Sequence, residues 1–122
     1  MKALTLAVLL ATAACAPAIQ SSGLQSVVTE RLYFGRNVGQ TLGVTDSAWA
    51  VFVSDVVSAQ LPNGFTFWAA QGPNEPSFVL EVVHPAKSDG VEVAIVAIIA
   101  EYKRRFRQES VLRVVTTGRA SY

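Results

Sequence analysis

Two apolar runs, Phe65-Thr-Phe-Trp-Ala-Ala70 and Phe78-Val-Leu-Glu-Val-Val83, flank the polar stretch Gln71-Gly-Pro-Asn-Glu-Pro76. Each run is rich in aromatic and β-branched residues and is short for a helix, which is strand composition. A connection holding one glycine and two prolines forces a sharp reversal, so the pair predicts an antiparallel hairpin. An isolated hairpin is marginal in water, and the rest of the chain must supply a cover.

The cover is written on both sides of it. Upstream, Thr45-Asp-Ser starts a helix that carries Trp49, Phe52, Val53, Val56 and Val57 at i, i+3, i+4, i+7, i+8 spacing. Leu61-Pro-Asn-Gly64 stops it. Downstream, Asp89-Gly-Val-Glu92 has capping-box spacing and opens a second helix. Its apolar stripe is Val91, Ile95, Ile98, Ile99, Tyr102 and Phe106. Val27-Val-Thr-Glu-Arg-Leu-Tyr-Phe34 reads as a first strand, broken by Gly35, Gly39 and Gly43, and Val111-Leu-Arg-Val-Val-Thr116 as the last. The order β-α-β-β-α-β predicts an α+β, ferredoxin-like (split βαβ) domain over residues 27–122. Its sheet would be four-stranded and antiparallel, with both helices on one face.

Strand alternation then sorts the side chains. Leu32, Phe34, Phe65, Phe67, Leu80, Val82, Leu112 and Val114 form the expected helix-facing set. Arg31, Tyr33, Thr66, Trp68, Val79, Glu81, Val83 and Arg113 form the open-face set, too apolar for a face left in water. A homodimer, a ligand or a partner protein would cover it.

The N-terminus constrains location. Met1-Lys-Ala-Leu-Thr-Leu-Ala-Val-Leu-Leu-Ala-Thr-Ala-Ala-Cys15 has a positive start, an apolar run too short for an ordinary span, and small residues before the cysteine. Residues 1–14 are expected to be a signal peptide and Cys15 a lipidation site, followed by a flexible tether through residue 26. Thr-Ala-Ala-Cys is similar to a lipobox, although Thr12 stands where leucine is usual. The expected product is a membrane-anchored lipoprotein of the cell envelope, with a soluble periplasmic or secreted protein as the competing reading. Cys15 is the single cysteine, so no intramolecular disulfide can form.

Removing residues 1–14 removes Lys2, so the ten Lys and Arg become nine against nine Asp and Glu. A neutral chain lacks the basic face that phosphate contacts require, and nucleic acid is excluded as a partner. Lys103, Arg104, Arg105 and Arg107 cluster near the end of the second helix, where cations complement the helix dipole. Phe78-Val-Leu-Glu-Val-Val also lacks the basic, glycine and aromatic pattern by which sheets of this kind stack RNA bases.

Three stretches resemble domain-of-unknown-function family 3574. They are Glu30-Arg-Leu-Tyr-Phe-Gly-Arg36, Val44-Thr-Asp-Ser-Ala-Trp-Ala-Val-Phe52 and Tyr102-Lys-Arg-Arg-Phe-Arg-Gln-Glu-Ser-Val-Leu-Arg-Val114. The resemblance spans residues 28–116 and implies a bacterial exported protein, often with a lipoprotein-type signal. It implies no activity. The chain departs from the family at Gln71-Gly-Pro-Asn-Glu-Pro-Ser-Phe78, where a longer hairpin ending in Glu-x-Ser-Lys is usual.

Candidate site residues follow from placement. Tyr33 and Arg36 end the first strand, and Gln108 and Glu109 turn into its expected neighbour. Arg36 and Glu109 could serve a ligand or simply bridge each other. Trp68, Glu81 and Arg113 extend the set across the open face. His84 is the single histidine, at a strand end, and a structural role suits it better than a catalytic base. No histidine–carboxylate spacing predicts a metal, and no glycine-rich loop after a strand predicts a nucleotide cofactor. The reading is a partner- or small-ligand-binding module. The alternative is a small enzyme using a sheet-face cavity in a dimer, with Tyr33, Arg36 or His84 as acid, base or oxyanion partner.

Overall fold

The computed structural model describes residues 23–122. The expected signal segment, Cys15 and the tether up to residue 22 lie outside the described residues. The chain runs β1 (Gln25–Gly35), β2 (Asn37–Val38), β3 (Thr41–Leu42), α1 (Asp46–Phe52), a π-helical turn (Val53–Val57), α2 (Ser58–Gln60), β4 (Thr66–Gln71), β5 (Pro76–Pro85), α3 (Val91–Phe106) and β6 (Leu112–Ala120). The result is a mixed α+β domain built on a four-stranded antiparallel sheet of order β4-β5-β1-β6. Strand β1 already begins at Gln25, inside the stretch expected to be tether.

Two helices cover one face of the sheet. The first is the continuous run 46–60, started by Thr45, whose hydroxyl accepts the Ala48 N–H at 3.1 Å. Its π-helical turn places residues five apart on one side, and Phe52 and Val57 are both fully buried. The second helix, α3, buries Ala94, Ile95, Ile98 and Tyr102. Between helices and sheet lies an aromatic knot. Trp49 stacks on Phe78 at 4.4 Å, and Phe34 meets Trp49 at 5.3 Å and Tyr102 at 4.6 Å. Every strand residue in this knot has the parity of Leu32, Phe34 and Leu80, so the expected helix-facing set holds for β1, β4 and β5.

The β4–β5 hairpin is present, closed by Gly72 N–H donating to Glu75 O at 2.9 Å. Two local expectations fail. The N-cap of α3 is Gly90, at φ 86°, with no side-chain cap, so Asp89 and Glu92 make no capping box. Glu92 instead binds Arg113. Strand β6 is also one residue out of the expected register. Leu32 pairs with Arg113, Tyr33 with Leu112 and Arg31 with Val114. Arg113 therefore lies on the helix side, while Leu112 and Val114 lie on the open side. The cause is ionic: Arg113 bridges Glu30 beneath it and Glu92 on α3. The apolar residues of β6 occur at both parities, so hydrophobic pattern does not fix its face.

Candidate functional site

Three turns meet at the end of the sheet where α3 finishes. The chain leaves β1 at Gly35, β4 turns into β5 at 72–75, and α3 turns into β6 at 107–111. Between them is a cleft of about 760 Å³ lined by Tyr33, Asn37, Glu75, Ser77, Gln108 and Glu109, among others.

Each wall has a physical anchor. Glu75 folds over Gly35, where a Cβ would come within 2.7 Å of its carboxylate, so the glycine makes room for the acid. The same carboxylate accepts the Asn37 N–H at 2.9 Å. Gln108 donates through Nε2 to Asn37 O at 2.8 Å, tying the end of α3 to β2. Tyr102 donates its hydroxyl to Gly35 O at 2.7 Å, and burial pushes its pKa upward, so it remains a donor. Arg107 stands at φ 54° and ends α3 in a left-handed turn, which directs Gln108 and Glu109 into the cleft. Among the described residues neither Glu75 nor Glu109 is held in an ion pair.

The cleft thus brings together Tyr33, Gln108 and Glu109 from the residues singled out in the sequence. Arg36 is elsewhere. Its Nη2 binds Asp46 at 2.7 Å, its Nε binds Val44 O at 2.9 Å, and its guanidinium covers Phe78 at 4.4 Å. The Arg36–Glu109 bridge is not made. The reason is local: Gly43 and Val44 both donate to Arg36 O, and this tight reversal carries the side chain to the helix side.

Trp68 and Glu81 do lie on the open face. Arg31 binds Glu81 through Nε at 2.9 Å and passes 5.9 Å from the Trp68 ring. That pair holds the Arg31 pKa up and the guanidinium charged. Val79, opposite both Tyr33 and Trp68, is only 1% exposed, whereas Trp68 itself is 40% exposed.

Arg113 belongs to a separate cluster on the helix side. It grips buried Glu30 through two hydrogen bonds of 2.8 and 2.9 Å and also binds Glu92. Glu92, then Glu30, hold its pKa up, and it holds the Glu92 carboxyl below the usual range. His84 stands beside Glu30 at 3.6 Å, with Nδ1 hydrogen-bonded to Pro85 O at 2.9 Å. It borders a smaller cleft of about 360 Å³ near Leu61 and Gly90. Tyr33 and His84 sit on opposite faces, and five residues of strand separate Tyr33 from Val28, the residue opposite His84, a rise of about 17 Å. Tyr33, Arg36 and His84 therefore do not share a site.

Sequence reasoning missed Glu75, Asn37 and Glu30. For Glu30 a signal existed, because it shares the parity of Leu32 and Phe34. For Glu75 none did, since its role comes from contacts with Gly35 and Asn37 across the sheet end. Among the described residues no group of three or more His, Cys, Asp or Glu could hold a metal, and no helix is long and apolar enough to cross a membrane.

No curated protein matches the chain by sequence. Among solved structures it is similar to a phage SAM lyase in the apo state, with TM-score 0.59 at 16% identity over 88% of this chain and 97% of that one. It is also similar to a phage SAM lyase in complex with S-methyl-5'-thioadenosine, with TM-score 0.52 at 16% identity over 79% and 90%. At such identity the likeness is one of fold alone. The family model described as "Protein of unknown function (DUF3574)" matches residues 29–122, which include β1 from Thr29 onward, both helices and all three walls of the cleft, and the chain belongs to that family.

Proposed function

We infer that this protein is a small-ligand-binding module of the bacterial cell envelope, with a ferredoxin-like domain tethered by a lipid on Cys15. The observation that carries the binding role is the cleft at the end of α3. There Tyr33, Ser77 and Gln108 offer hydrogen bonds, and two carboxylates, Glu75 and Glu109, have no cationic partner among the described residues. A polar cleft ringed by short turns on a rigid sheet suits a small polar molecule. The strand order β4-β5-β1-β6 with two helices on one face supports the ferredoxin-like reading. The positive start, short apolar run and Thr-Ala-Ala-Cys15 support export and lipidation. Intact-mass analysis of the native protein tests the anchor: a chain starting at Cys15 with added acyl mass is expected, and an unmodified cysteine sinks it.

A second reading, an enzyme, is favoured by the likeness to phage SAM lyase and its S-methyl-5'-thioadenosine complex. In this reading the cleft takes an adenosine bearing a sulfur substituent, and Tyr33 and Glu75, both on its wall, are the candidate acid and base. Calorimetric titration with S-methyl-5'-thioadenosine and with S-adenosylmethionine, followed by chromatography of the mixtures, separates the two. Binding that Glu75→Gln weakens, without turnover, supports the module. Turnover lost in the same variant supports the enzyme. Wild-type protein that binds neither compound removes sulfur nucleosides from both readings.

A further inference from the structure

Strand β6 is an edge strand that leaves Leu112, Val114 and Val115 exposed. It runs for nine residues without proline, and only β1 pairs with it. Apart from Arg113, which reaches Glu92 on α3, its faces are largely uncovered. Leu112 is 60% exposed on the open side, and Val115, on the helix side, is 52% exposed because no helix lies above it. Long, proline-free exposed edges of this kind are templates for another strand.

We propose that β6 pairs antiparallel with β6 of a second copy of this chain, joining two sheets into one of eight strands across a two-fold axis at Thr116. This surface differs from the open sheet face. The axis at Thr116 is the register in which all nine residues, Leu112–Ala120, find a partner. In an isologous antiparallel pair, opposed residues share a face. On the open side that sets Leu112 against the partner copy's Ala120 position and Val114 against its Gly118 position, large beside small. A Cβ built on Gly118 meets nothing within 4 Å, so the valine has room.

Charge points the same way. On the helix side Arg113 falls opposite the second copy's Arg119 position, which would repel if Arg113 stood alone. It does not. Glu30 and Glu92 both bind Arg113, so two carboxylates answer one guanidinium, and Glu92 stays exposed at the outer rim. Arg119 is exposed, and its one hydrogen bond among the described residues is a long contact, 3.4 Å to Leu24 O. Its guanidinium is available to meet that negative cluster across the axis, twice per dimer.

Sedimentation of the full chain over a concentration series is the test, with circular dichroism confirming the fold of each variant. The wild type is expected to be a dimer. Arg119→Glu should remain folded and raise the dissociation constant by about tenfold or more, and Arg119→Glu combined with Glu92→Arg should recover part of the loss. In a Cys15→Ser background, Thr116→Cys should give an oxidised dimer, while Val96→Cys on the exposed face of α3 should not. A monomeric wild type overturns the proposal, whether β6 is then free or pairs with a strand of another protein. A dimer indifferent to Arg119→Glu and uncrosslinked at Thr116→Cys overturns it in favour of another surface, including the open sheet face.

Discussion

The two ends of α3 hold comparable numbers of polar groups but use them differently. At its N-terminal end, Glu30, Arg113 and Glu92 satisfy one another, with His84 alongside. At its C-terminal end, Glu75 accepts the Asn37 N–H and Gln108 donates to the Asn37 carbonyl, with a longer contact to Phe106 O, and both keep further capacity facing the cleft. The first arrangement is closed between its acids and Arg113, with the buried Nε2 of His84 left without a hydrogen bond, and it stabilises the sheet against the helix. The second is fixed in position yet incomplete, which is the condition a ligand needs. A polar cluster is therefore a site candidate when its geometry is held but its charge is not yet answered.

Breaking the closed end should have the largest effect. Arg113→Ala leaves Glu30, 4% exposed, without its counter-ion, and a loss of about 3–5 kcal/mol is expected. Urea unfolding followed by circular dichroism measures it; a loss below about 1 kcal/mol would mean that Glu30 is solvated in solution. At the open end the effect on stability should be small and that on binding large. Gly35→Ala puts a methyl where the Glu75 carboxylate lies, and that carboxylate can swing away at a cost within about 1 kcal/mol. Any ligand read by Glu75 should then bind poorly. A Gly35→Ala protein that binds as the wild type does would show Glu75 to be a spectator.

The smallest effect is expected at Glu92, the exposed rim of the closed cluster. Its carboxyl is depressed in the fold by Arg113, so its contribution is complete above the ordinary carboxylate pKa of about 4.3 and disappears as pH falls through its lower folded value. The stability difference between wild type and Glu92→Gln should accordingly be present at neutral pH and fade in acid. A difference constant with pH would assign the role of Glu92 to packing.

Which parts of this contrast could be read in advance depends on whether one face of an element is buried. The hairpin, the α3 stripe and the alternation of Leu32, Phe34, Leu80 and Val82 were legible because burial on one side imposes a period. Strand β6 was not, because Leu112, Val114 and Val115 place apolar residues at both parities beyond the reach of the helices. That Tyr33, Gln108 and Glu109 lie together was legible because strand order alone puts them at one end. Arg36 was misplaced because the reversal at Gly43 and Val44 is a hydrogen-bonding feature with no periodic signature. The same holds for Glu75, whose neighbours Gly35 and Asn37 are some forty positions away in the chain.

The central position of β1 also sets the order in which the molecule can be completed. It is the first strand made, yet it pairs with β5 and β6, and Glu30 waits for Arg113, 83 residues later. A chain emerging from its N-terminus therefore carries one edge of β1 unpaired until β5 is made and the other until β6, nearly the last element. Contacts of such long range close slowly, in the range of about milliseconds to seconds for topologies dominated by them. Completion of the fold consequently waits on the final strand, which brings both the second partner of β1 and the counter-ion of Glu30.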